Sequence, residues 1–113
     1  MTMGFKEKEN IESELKSAFL INEFMHSEYT LNYSSWECLM QVVEKIESIY
    51  DKNHGRFVVQ IAHNGCQIQS TKFRPHEKCD AYYSDTYDKD KISACWKAVT
   101  GFINWYNINI SNK

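Results

Sequence analysis

Apolar residues recur in four stretches of this chain, three with a helical period and one with a strand period. Ile11, Leu15, Ala18, Phe19 and Asn22 step by three and four residues, which predicts a helix over 10–25 with Asn10 as N-cap. Leu20, Ile21, Phe24 and Met25 widen its apolar face beyond one stripe, as expected of a helix buried on more than one side. A second helix opens at Ser34-Ser35-Trp36-Glu37, read as a capping box in which the Ser34 hydroxyl and the Glu37 carboxylate satisfy each other's amides. Trp36, Leu39, Met40, Val43, Ile46 and Tyr50 continue it, and Asp51 to Gly55 end it, with Gly55 suited to a left-handed conformation.

A hairpin follows. Residues 57–63 and 66–71 flank Asn64-Gly65, a strong two-residue turn signal. That turn predicts His63 opposite Cys66, Ile61 opposite Ile68 and Val59 opposite Ser70. Phe57, Val59, Ile61 and Ile68 then share the core face, while Gln60, Gln67 and Gln69 share the wet one. Residues 72–91 read as a polar loop broken by Pro75, with room for a short strand over Cys79–Tyr83. Asp88 or Asp90 caps a last helix, in which Ile92, Cys95, Val99, Phe102 and Tyr106 step by three and four, flanked by Trp96 and Ile103. It runs to about Asn107, with a polar tail beyond. The order is α-α-β-β-loop-α, which predicts an α+β fold of three helices packed on a small antiparallel β-sheet, a single domain over 1–113. The expected core is Leu15, Phe19, Trp36, Leu39, Val43, Ile46, Val59, Ile61, Ile68, Val99, Phe102 and Tyr106.

Composition narrows the function classes. With 113 residues the chain suits one domain, and a net charge of -2 gives no basic field to attract nucleic acid. No direct sequence-specific DNA binding is expected. Neither a signal-peptide core nor an apolar run of about 18 residues is present, so the expected address is cytoplasmic and no membrane partner is expected. Cys38, Cys66, Cys79 and Cys95 are then expected as free thiols.

Candidate chemistry is sparse. His63-x-x-Cys66 and His76-x-x-Cys79 form two like-spaced pairs that could supply four zinc ligands, although a hairpin and its connection explain the same spacing without metal. No cofactor is expected, with zinc on these four residues as the alternative. No nucleophile elbow, phosphate loop or His-Glu-x-x-His pair occurs, and His26 and His54 stand alone beside helix ends, so no catalytic residue is assigned and an enzyme is not expected. Lys72, Arg74 and Lys78 are the nearest approach to a basic cluster, and acids follow at once. Asp80, Tyr82, Tyr83, Asp85, Tyr87 and Asp88 give the 72–91 segment an acidic, aromatic character, which suits contact with a basic partner. The same tyrosines could equally tuck onto the sheet.

Two stretches carry a resemblance. Residues 32–49, NYSSWECLMQVVEKIESI, and 91–107, KISACWKAVTGFINWYN, resemble short phage and prophage proteins of Bacteroidetes that open a helix with Ser-Ser-Trp and close one with Phe-Ile-x-Trp-Tyr-Asn. The upstream LINEFM (20–25) fits the same pattern, whereas WECLM, VTGF and the long 72–91 segment depart from it. In size and in Lys/Asn/Ile-rich composition the chain is also similar to inhibitors of type VI-B CRISPR effectors. This resemblance implies helices layered on a small sheet. It also implies a phage-encoded anti-defence protein that binds an RNA-guided CRISPR effector nuclease, or its guide-RNA complex, in the host cytoplasm. It carries over no individual site residue. A zinc-stabilised scaffold or regulatory domain, and an oligomeric phage accessory protein joined through the tryptophan-bearing helices, are the other expectations.

Overall fold

The computed structural model describes residues 18–25, 35–74 and 81–111. Helical residues 18–25 (α1) precede α2 (Trp36–Ser48), β1 (Tyr50–Asp51), β2 (Gly55–Ile61), β3 (Gly65–Ser70), β4 (Tyr83–Tyr87) and α3 (Lys91–Tyr106). A π-helical turn, Asn107–Ser111, extends α3 where a polar tail was expected. The strands form one antiparallel sheet in chain order, β1-β2-β3-β4. The fold is therefore α+β with three helices on a small antiparallel sheet, as the periodicities predict, but with two strands more than the hairpin.

Helices α2 and α3 each begin where a side chain replaces a missing backbone acceptor. Ser35, with extended backbone, accepts from the Cys38 amide at 3.2 Å, so the cap stands one residue later than the box read from Ser34. Asp90 does the same for α3, accepting from the Ser93 amide at 2.9 Å. Near the last described residues of α1, the Lys45 ammonium donates to the Phe24 carbonyl and lies over the Phe24 ring, 4.9 Å from its centroid, tying α1 to α2.

The second helix stops at Ser48, before Tyr50, because Tyr50 and Asp51 pair with Arg56 and Gly55 instead. The Asp51 carbonyl accepts from the His54 amide at 3.2 Å, and Gly55 then takes φ +77°. A three-residue hairpin closed by a left-handed residue results. The Asp51 carboxylate accepts from the amides of Asn53 and His54, both at 3.0 Å, and lies 2.6 Å from His54 Nδ1. These bonds, the His54 side chain first, hold the Asp51 carboxyl below its ordinary value. The unfolded chain therefore binds a proton at a higher pH than the folded one. The turn's contribution is complete above about pH 4 and is lost as pH falls through the folded value. Urea midpoints measured from pH 7 to pH 2.5 are expected to fall on the acid side, and Asp51→Asn is expected to flatten that limb.

Strand pairing departs from the expected register by two residues. Ile61 pairs with Cys66, Val59 with Ile68 and Phe57 with Ser70, while the Ala62 amide donates to the Gly65 carbonyl at 3.0 Å. The turn is thus His63-Asn64. A shift of two keeps every side chain on its expected face, since faces alternate with period two. Helices α2 and α3 cover the face that carries Phe57, Cys66, Ile68 and Ser70: α2 lies on β2, and α3 on β3 and β4, while α1 joins the same core through Ile21 and Phe24.

The core is Ile21, Phe24, Leu39, Val42, Val43, Ile46, Phe57, Cys66, Ile68, Ala94, Cys95, Trp96, Ala98, Val99, Phe102 and Ile103. Three residues expected inside are not. Phe19 is 67% exposed and Trp36 43%, on the outer sides of α1 and the first turn of α2, and Ile61 lies beyond the helical cover at the end of β2. Val59 and Tyr106 are half-buried against the core, and Leu15 lies outside the described residues. Among the described residues no helix is long and apolar enough to cross a membrane.

Candidate functional site: the open face of the sheet

Because the helices share one side, the other side of the sheet carries no helix among the described residues. Its side chains fall in cross-strand rows: Val58, Gln69 and Tyr83; Gln60, Gln67 and Asp85; Ala62, Gly65 and Tyr87. Tyr83 and Tyr87, at the two ends of the edge strand β4, are exposed at 42% and 63%. Phe73 stacks on Tyr83 with ring centroids 4.6 Å apart, adding a third aromatic to the same face.

Strand alternation divides the acidic tyrosine segment in two. Tyr83, Asp85 and Tyr87 point outward together. Tyr82, also expected at the partner surface, instead turns inward against Trp105 and Phe102, at 4.5 and 5.4 Å between ring centroids. Burial pushes its phenol above the ordinary value, and it packs half-buried against the core. Asp88 likewise turns away. Its carboxylate accepts from the Lys89 amide at 2.7 Å and pairs with Lys97 on α3 at 3.1 Å, and these bonds hold it below the usual carboxylate range. Asp80 lies outside the described residues.

A cleft of about 300 Å³ opens across the outer rows, lined by Gln60, Ala62, Gly65, Gln67, Asp85 and Tyr87, with Ile61 at its rim. The Tyr87 ring lies over Gly65, where an added Cβ would come within 2.9 Å of Cε1. Glycine here serves close approach rather than an unusual turn angle. The Tyr87 hydroxyl donates to the Asp85 carboxylate at 3.1 Å, and that carboxylate holds the phenol above its ordinary value.

The proposed zinc set is not assembled from its first pair. His63 is exposed in the turn, whereas Cys66 is buried under α3 beside Cys95. The Cys95 side chain and burial together hold the Cys66 thiol above its ordinary range, which opposes the thiolate a metal needs. His76 and Cys79 lie outside the described residues. Among the described residues no three His, Cys, Asp or Glu side chains converge, and Cys66 and Cys95 are free thiols. His54, read from sequence as a lone residue, is built into the structure by Asp51 and by an edge contact with Trp105 at 5.1 Å.

The fold and face describe a two-layer α+β protein with one covered and one open sheet surface. No protein-family model matches the chain, and neither a curated protein nor a solved structure matches it significantly.

Proposed function

We propose that this is a non-enzymatic binding protein of phage or prophage origin that inhibits an RNA-guided CRISPR effector nuclease, docking on it through the open face of the sheet. The observation that supports this reading is the one-sided placement of the helices, which leaves Tyr83, Asp85 and Tyr87 facing outward on a rigid sheet. Rigid aromatics give contact area at little cost in side-chain entropy, and a central carboxylate is attracted to the basic surfaces with which such a nuclease holds RNA. The choice of partner comes from the resemblance of 32–49 and 91–107 to Bacteroidetes phage proteins. The place of action is then the cytoplasm of the bacterial host.

Target-RNA cleavage by a type VI-B effector, assayed with purified wild-type protein and with Asp85→Lys, tests the proposal. Wild-type protein is expected to inhibit, and the charge reversal to weaken inhibition at least tenfold. Inhibition unchanged by Asp85→Lys would remove this face from the mechanism. No inhibition by the wild type would remove the effector as partner.

A further inference from the structure

We propose that the cleft over Gly65 receives one arginine side chain of a partner protein, which makes it the specificity pocket of the open face. This deepens the docking reading above and rests on it. The argument begins with the floor. Gly65 and Ala62, paired across the hairpin, have little or no side chain, and the Tyr87 ring covers Gly65, so the ring and Ala62 together form the low ground of the cleft. The walls are chemically distinct. Tyr87 contributes an aromatic ring, and in the next row Gln60, Gln67 and Asp85 stand side by side across three strands.

Charge selects the occupant. Asp85 accepts from the Tyr87 hydroxyl, but it has no cationic partner among the described residues, unlike Asp88, which holds Lys97. Among the described residues no lysine or arginine lines the cleft. Arg56, Lys72 and Arg74 belong to the far end of the sheet, where Arg56 and Thr71 exchange hydrogen bonds, the Lys72 ammonium donates to Lys52 O and Arg74 folds onto the carbonyls of Thr71 and Phe73. An entering cation therefore meets one uncompensated carboxylate and no competing positive charge inside the cleft.

Shape distinguishes arginine from lysine. A guanidinium is flat, so it can lie on an aromatic ring while its edge makes paired hydrogen bonds to a carboxylate. The side-chain oxygens of Gln60 and Gln67 can accept its remaining N–H groups. An ammonium group can also sit over a ring, but it meets the carboxylate as a point charge and cannot lie flat on the ring while pairing with both carboxylate oxygens. The volume, about 300 Å³, is enough to hold one long side chain.

The test is a titration of the isotopically labelled full chain with N-acetyl-arginine amide, followed by amide chemical shifts. The corresponding lysine amide and the neutral citrulline amide serve as comparisons. Saturable shifts at Gly65, Gln67, Asp85 and Tyr87 are expected with arginine, and binding at least tenfold weaker with citrulline. Asp85→Asn, an exposed position, is expected to keep the folded spectrum and weaken arginine binding at least tenfold. Tyr87→Phe, which keeps the ring, is expected to retain binding. Absence of saturable shifts, equal binding of citrulline or lysine, or wild-type binding by Asp85→Asn would each overturn the pocket. So would an RNA oligonucleotide that shifts these residues when arginine does not. If arginine binds as expected but the wild-type protein fails to inhibit the effector, the pocket stands and the proposed target falls. If inhibition needs Asp85 while arginine does not bind, the docking face stands and the pocket falls.

Discussion

Phe102→Ala is expected to lower the unfolding free energy by about 3–5 kcal/mol, measured by urea denaturation at neutral pH. Phe102 is fully buried on α3 and is the hub of the aromatic cluster. Its ring meets Phe57 edge-on at 4.9 Å, Tyr82 at 5.4 Å, Trp105 at 5.9 Å and Tyr106 at 6.0 Å. These partners come from β2, the residue just before β4 and α3 itself, so one truncation opens a void where three segments meet. They are also too large and too mutually constrained to collapse into it, which puts the cost toward the upper end. Domains of this size have about 5–15 kcal/mol in total, so the variant should be marginal at physiological temperature. Phe102→Leu, which fills most of the volume, is expected to cost less than about 2 kcal/mol. A loss below about 1 kcal/mol for alanine would mean that the cluster repacks and that Phe102 is not its centre.

The second large effect is expected at Gly55. At φ +77° an L-residue with a Cβ is disfavoured by about 1–2 kcal/mol. The site adds a second penalty, because a Cβ there would overlap Thr71 Oγ1. Thr71 cannot simply turn away, since its hydroxyl accepts from the Arg56 amide at 3.1 Å. Gly55→Ala is therefore expected to lose about 2–4 kcal/mol in thermal or urea unfolding, combining strain with overpacking. Combining it with Thr71→Ala separates the two terms. The double variant should recover the overlap but not the backbone strain, so the two changes should be clearly non-additive. Strict additivity would show that the hydroxyl is not in the way.

These positions also show what the sequence could and could not disclose. Leu39, Val43 and Ile46 announce the buried side of α2 by period alone, and they are buried. Trp36 follows the same period yet is largely exposed, because the first turn of a helix can project beyond the layer it packs on. Asn64-Gly65 is a strong hairpin signal, but Gly65 is spent on admitting the Tyr87 ring, so the turn moves to His63-Asn64. That competing use is invisible without knowing that residues 83–87 form the neighbouring strand. They escape notice because their inward positions, Ser84 and Thr86, are small and polar, leaving no apolar alternation to read. Once the strand is known, parity alone places Tyr83, Asp85 and Tyr87 on one face and turns Tyr82 toward the core. The inward placement of Cys66 follows from the same parity, and it weakens the reading of the His-x-x-Cys pairs as a metal site.

Strand order bears on how the chain reaches this structure. Each strand pairs only with its neighbours along the chain, so no pairing must wait for a distant segment to arrive. Three residues, 52–54, separate β1 from β2, three more, 62–64, separate β2 from β3, and the stretch 71–82 precedes β4. Loop-closure entropy rises only slowly with length, so the third closure costs little more than the first two. The sheet can therefore grow outward from its hairpins, each pairing formed between segments close in sequence. Local pairing of this kind favours quick closure of the strand face and so limits the chance for its apolar side to self-associate.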